Sequence, residues 1–252
     1  MNRFNVRLDG KSLSDIHPSI RIIDVKEHAP VIRAAAVSTA LGDGLRVTHR
    51  SRESLSVTVS FVIREYIPGR RSVIMQEIRA WARGTTLKTS LRSGMQLSVE
   101  AEELPTVQSA LKWTDTCAIT FTARETPYWV EAQAVHATAA LPILAPLGDA
   151  LPSPADFTWT ADRDGLVTLL IQTPLSSITL ASLQVTTGQT LALGHTHGLL
   201  TATLDGADVL LCRTAESSDD LLVTCGIENQ ITVKVNGADA AAFTMSARGR
   251  WL

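Results

Sequence analysis

Leu55-Ser56-Val57-Thr58-Val59-Ser60-Phe61-Val62-Ile63 decides the fold class. Large apolar residues occupy every odd position over nine residues, and only Val62 breaks the polar phase between them. A period of two puts successive side chains on opposite faces of an extended chain, so the segment reads as a strand with one buried face. Upstream, 31–40 and 45–52 read as two extended arms around the turn Gly42-Asp43-Gly44. The second arm alternates Leu45, Val47 and His49 with Arg46, Thr48 and Arg50, which makes one of its sides basic, and Arg52 closes it.

Downstream comes the chain's strong helical signal. It follows Pro68-Gly69, takes Ser72 as its N-cap and stops at Gly84. Ile74, Ile78 and Trp81 share one face, while Ser72, Gln76, Arg79 and Arg83 share the other. Such a helix between strands lies across a sheet and closes its core. Strands follow at 91–100 and 116–124.

From Val130 to Phe157 the composition changes, with prolines at 142, 146, 152 and 154, many alanines and few charges, and the stretch reads as a linker with extended pieces that dock on one domain. Beyond it, eight short strands are expected at 166–171, 178–185, 190–193, 199–204, 209–212, 221–225, 231–235 and 242–246. Turn signals such as Asp205-Gly206 and Asn236-Gly237 separate them. That spacing suits a β-sandwich. The expected division is therefore a first domain at 1–131, a linker at 132–156 and an all-β domain at 157–252.

A chain of 252 residues with 45% hydrophobic and 19% charged residues can bury a core without disulfides or a structural metal. Cys117, Cys212 and Cys225 are too few, and odd in number, for a disulfide framework. No apolar run reaches the length of about 18 residues that spans a bilayer. The opening MNRFNVRLDG alternates, so export by the general secretory route is not expected. The net charge of −2 hides an asymmetry. Residues 1–131 hold 18 basic against 14 acidic residues, a balance of +4, and 132–252 hold 5 against 11, a balance of −6. The halves face different surroundings.

Chemistry-bearing clusters are sparse. His195-Thr196-His197 could offer two metal ligands, but it lies between Gly194 and Gly198, where a hairpin turn is the simpler reading. Asp162-Arg163-Asp164-Gly165 lacks the remaining oxygen ligands of a calcium loop and reads as a turn. Glu100, Glu102 and Glu103 precede Pro105 and read as a solvated loop end. No nucleophile elbow, zinc-protease, P-loop or dinucleotide-binding pattern occurs. Neither catalysis, nor a metal, nor a cofactor is expected. Of the tryptophans, Trp81 lies on the apolar helix face, Trp129 and Trp159 flank the linker, and Trp113 and Trp251 complete the set. The arginines at 46, 50, 52, 79 and 83 lack the interleaved aromatics of a nucleic-acid site.

The order of features carries more information than any motif. A strand enters Leu8-Asp9-Gly10; arms surround Gly42–Gly44; the Leu55–Ile63 strand and a helix ending Trp81-Ala82-Arg83-Gly84 follow. Arg124-Glu125-Thr126-Pro127-Tyr128-Trp129 closes the first half, and the all-β second half ends Arg250-Trp251-Leu252. This layout resembles, along the whole chain, the distal tail (Dit) proteins of long, non-contractile-tailed phages and related prophages. The resemblance implies a mainly β fold: an N-terminal tail-tube-like β-sandwich or split barrel with one helix, and a C-terminal galectin-like β-sandwich. It also implies a structural role as a ring, usually of six copies, at the tail tip. There the ring joins the tail-tube protein to hub or fibre proteins and leaves a channel through which DNA passes without sequence-specific contact. Assembly in the host cytoplasm, with no membrane partner, follows from that role.

Two-stranded arms are marginal alone and leave backbone edges open, so Gly42, Asp43, Gly44, Arg46, Arg50 and Arg52 are the expected subunit-interface residues. The three arginines are expected to be committed to neighbouring copies or to carboxylates. A lectin-like module acting in host adsorption is the alternative, and would use Phe157, Trp159, Phe243 or Trp251. A tail-associated glycosidase would need two carboxylates about 5–10 Å apart in a cleft.

Overall fold

The computed structural model describes residues 4–30, 32–38, 45–104, 114–149, 151–196, 198–236 and 242–252. It divides into two compact units, Met1–Trp129 with Leu252, and Val130–Trp251. The fold is mainly β, with one α-helix among the described residues.

In the first unit the strands are β1 (Val6–Leu8), β2 (Lys11–Ser12), β3 (Ile20–His28), β4 (Ile32–Ser38), β5 (Leu45–Arg52) and β6 (Leu55–Arg64). After helix α1 (Pro68–Trp81) come β7 (Thr86–Thr89), β8 (Met95–Ser98), β9 (Glu100–Glu103) and β10 (Thr114–Ala123). One sheet runs β3-β6-β10-β9, all antiparallel, with β6 at its centre. Leu55, Val57, Val59, Phe61 and Ile63 are essentially inaccessible, as the alternation requires. A second run pairs β2-β1-β7-β8. Its tight turn places Asp9 at φ 48° and Gly10 at φ 83°. The Asp9 carboxylate accepts from the Thr85 and Thr86 amides, tying that turn to the start of β7.

Helix α1 starts earlier than the Ser72 cap predicts. Pro68 is its first residue, where a missing N–H costs nothing and a fixed φ favours the helix, so Pro-Gly opens the helix instead of preceding it. The buried face is Arg71, Ile74, Met75, Ile78 and Trp81. Trp81 meets Phe121 of β10 edge-on, with centroids 5.9 Å apart at 84°, and its Nε1 donates to the Lys11 carbonyl at 2.8 Å. The expected strand at 91–100 resolves into β8 and β9, separated by Val99.

The boundary strand β11 (Trp129–Glu131) leads into the second unit. There the stretch expected as a linker carries two short strands docked on the second unit: β12 (Val135–Thr138) pairs with Thr244–Ala247, and β13 (Ile143–Leu144) pairs with Asn229–Gln230. The rest of that stretch opens β14 (Pro152–Thr160). Pro152 and Pro154 are tolerated there because the Ala155 amide, in the opposite phase, makes the bond to Leu221. β15 (Gly165–Gln172), β16 (Ser177–Val185), β17 (Thr190–Thr196), β18 (Leu199–Leu204) and β19 (Ala207–Asp208) follow. The unit ends with β20 (Leu222–Thr224), β21 (Asn229–Gln230), β22 (Thr232–Asn236), β23 (Phe243–Ala247) and β24 (Arg250–Trp251).

A sheet β12-β23-β14-β17-β18-β19 faces a three-stranded sheet β16-β15-β22 across one apolar core. Phe157, Trp159, Leu169, Ile171, Leu191 and Met245 are fully buried in it. The expected strand at 209–212 is a 3₁₀ turn at Leu210–Cys212, begun by the Asp208 carboxylate accepting from the Leu210 amide. His195 does not sit in a turn; it is paired with Leu200 near the end of β17. Asp162-Arg163-Asp164-Gly165 is the β14–β15 turn, with Gly165 at φ 143°.

Candidate functional site

The expected interface maps onto a two-stranded antiparallel ribbon. β4 and β5 pair with each other, Ile32 opposite Arg52 and Ser38 opposite Leu45, with an irregularity at Ala35/Ala36. Among the described residues they join no other sheet. At about 3.4 Å per residue, β5 is roughly 27 Å long. Ile32 is 64% exposed, and Arg33 and Ala34 are exposed too. Gly42, Asp43 and Gly44 lie outside the described residues. Arg46 stands opposite Val37, and Arg50 opposite Ala34; their side chains also lie outside the described set.

Arg52 is described, and its guanidinium lies over the Tyr128 ring, 5.7 Å from the centroid. At the same end of the ribbon Arg33 pairs with Glu53 at 2.6 Å. The sequence reading missed Tyr128 and Glu53 as partners. Glu53, next to the end of the basic arm, was the available signal; the approach of Tyr128 is a tertiary event with none.

The remaining clusters are placed as follows. No group of three metal-ligating side chains occurs among the described residues. His197 lies outside them, while His195 Nε2 is 3.8 Å from the Asp220 carboxylate. Glu102 accepts from the Thr122 hydroxyl at 3.1 Å and pairs with Arg124 at 3.5 Å, so it is occupied structurally. Glu100 lines a cleft of about 390 Å³ beside Thr85, Thr122, Arg124 and Glu125. A larger open depression of about 690 Å³ lies beside Asp9, Lys11, Glu77 and Trp81. Burial pushes the Cys225 thiol up, leaving it a poor nucleophile at neutral pH.

The aromatic residues of the second unit do not form a sugar platform. Trp159 and Phe157 are fully buried, Phe157 stacks on Phe243 with centroids 5.9 Å apart, and Trp251 is half-buried. Trp81 and Trp129 are buried in the first unit, and Trp113 lies outside the described residues.

No family model matches the chain, and no curated protein matches it in sequence. Solved structures do match. The crystal structure of SPP1 Dit (gp 19.1), described as a paradigm of the hub adsorption apparatus in phages infecting Gram-positive bacteria, superposes with a TM-score of 0.71. The match covers 99% of each chain at 13% identity. The phage p2 baseplate in its activated conformation gives TM-scores of 0.48 with Sr and 0.49 with Ca, both at 8% identity. The Sr form covers 97% of both chains, and the Ca form 98% of this chain and 97% of the other. A self-paired ribbon beside a helix-backed sheet, followed by a second β unit, is therefore the fold of SPP1 Dit over the full length of this chain.

Proposed function

We propose that the chain is a non-catalytic structural component of a phage tail tip, a distal tail protein. Copies of it, six in number, form a ring that joins the tail-tube protein to the hub and host-recognition proteins. Its centre leaves a channel for DNA, which passes without sequence-specific contact. In this reading residues 1–131 form the ring and 157–252 project from it, with assembly in the host cytoplasm.

The observation that carries the reading is the full-length likeness to SPP1 Dit. The ribbon supports it physically. Two strands that join no other sheet among the described residues leave hydrogen-bonding edges open, and a neighbouring copy supplies the cover. Where such a contact joins two different patches and its rotation closes, repeating it gives a ring. The burial of Trp159 and Phe157 speaks against the lectin-like alternative.

Native mass spectrometry of the purified chain, with imaging of the same sample, tests the proposal. A species of six times the 27.1 kDa protomer with an axial opening is expected. A strictly monomeric chain at high concentration, with the ribbon ordered, overturns it.

A further inference from the structure

The excursion 205–220 of the second unit carries five of the chain's carboxylates, at Asp205, Asp208, Glu216, Asp219 and Asp220, against one arginine, Arg213. At its tip stands Leu211, which is 101% exposed. This is not a loose loop end. The Asp208 carboxylate fixes the Leu210 amide at 2.9 Å, and the Arg213 amide donates to the Leu210 carbonyl at 3.0 Å. Thr214 donates to the Thr179 carbonyl, and the Ser217 and Ser218 hydroxyls accept from the Thr179 and Ser177 amides of β16. A single exposed leucine needs no explanation by itself. One held fully out on a hydrogen-bonded platform has the form of an anchor, and its segment stays net acidic although Asp219 pairs with Arg213 at 3.6 Å and Asp220 lies 3.8 Å from His195.

The first unit carries the counterpart. Where β6 runs into α1, Tyr66 is 76% exposed, Ile67 48% and Val73 55%. Arg64 and Arg70 stand exposed among them. The Glu65 carboxylate accepts from the Ile67 amide at 3.1 Å and fixes the turn that presents this patch. Arg70 and Val73 are about one helical turn apart near the start of α1, and both are exposed. One surface is thus an apolar patch that carries Arg64 and Arg70, the other an apolar knob on a net-acidic segment.

We infer that the Leu211 knob of one copy docks on the Tyr66–Val73 patch of a second copy of this chain. The occupant follows from charge complementarity: the segment that bears the knob is net acidic, Arg64 and Arg70 flank the patch beside Glu65, and the halves that bear them carry balances of −6 and +4. The contact rests on the ring reading above and deepens it, adding a second, salt-sensitive bond between copies to the one the ribbon makes. It joins two different surfaces and, where its rotation closes, propagates around a ring.

The test mixes ¹⁴N and ¹⁵N copies of the full chain with a photocrosslinking p-benzoylphenylalanine at position 211, and measures oligomer mass in parallel. Mixed-isotope crosslinks from position 211 into residues 64–73 are expected, lost when Arg64 and Arg70 are both changed to Glu. Leu211→Asp should weaken association by about tenfold or more and leave the thermal midpoint of the protomer unchanged. Oligomers that form without that crosslink, or with crosslinks only inside one copy, overturn the docking and leave the ring reading standing. A strictly monomeric chain overturns both. As an independent check, Arg70→Glu in one copy and Asp219→Arg in the other should restore association that either change alone weakens; failure of that restoration counts against the docking.

Discussion

The Asn229 side chain, fully buried, donates from Nδ2 to the Leu144 carbonyl at 3.0 Å. The same amide group donates to the Thr224 and Ile227 carbonyls, and its oxygen accepts from the Thr224 amide at 2.9 Å. One side chain thereby ties the Pro/Ala stretch to the β20–β21 turn and makes it part of the second unit.

That tie predicts a stability effect. Asn229→Asp keeps the size and the acceptor but removes both donor hydrogens and places a charge in a closed site. A loss of about 2–4 kcal/mol is expected, read from urea unfolding. A change within about 0.5 kcal/mol would show that the stretch is held by other contacts.

The comparison of sequence with structure turns on the same region. The alternation of Leu55–Ile63 survives into β6 unchanged, because one face of that strand is packed and a period of two is its direct imprint. In the stretch 132–156 the prolines signal a break, yet Pro152 and Pro154 fall inside β14, in the phase that makes no bond to β20. Which phase faces a partner is a tertiary fact with no local trace. Pro68 misleads in the opposite way, since the same residue that ends a helix also begins one. Leu210–Cys212 reads as a strand by composition, yet the Asp208 side chain captures the Leu210 amide and turns the chain. Of the candidate site, Arg46, Arg50 and Arg52 were legible as one basic arm. The ring of Tyr128 under Arg52 was not, because 76 positions of sequence separate them.

Trp159 gives a second prediction. It lies in the core between Phe243 on β23 and Leu191 on β17, its two register partners. Trp159→Ala should cost about 3–5 kcal/mol of stability through the cavity left behind. Oligosaccharides added to the wild-type chain should leave its melting temperature where it was. A saturable upward shift with any sugar would reopen the lectin-like reading.

Asp164 sets a pH dependence. Its carboxylate accepts from the Thr187 amide at 2.6 Å and from the Thr187 hydroxyl at 2.9 Å, and these bonds hold it below the usual carboxylate range. A depressed value in the folded state contributes stability that is present above the unfolded carboxylate range and lost as pH falls through the folded value. Asp164→Asn keeps an acceptor for the Thr187 amide while removing the titration. Unfolding midpoints measured from pH 7 downward should therefore fall less steeply below about pH 4 in the variant. Parallel curves for the two proteins would assign the acid sensitivity to other groups.

The ribbon yields the last prediction, which separates order within a copy from order supplied by a neighbour. β4 and β5 bond only to each other among the described residues, so their outward amides have water as their partner in a lone copy. An isolated two-stranded pair opens at little cost and its amides exchange quickly. If neighbouring copies add strands to its edges, protection becomes a property of the assembly and rises with protein concentration. Hydrogen exchange should then show amides of 32–38 and 45–52 slowing by about tenfold or more between dilute and concentrated samples. β6 amides, already paired on both sides within the copy, provide the internal reference and should not change. Fast exchange in the ribbon at every concentration, in a sample whose mass is that of the oligomer, would place the contact between copies elsewhere. Slow exchange in the monomer would show that the ribbon needs no neighbour.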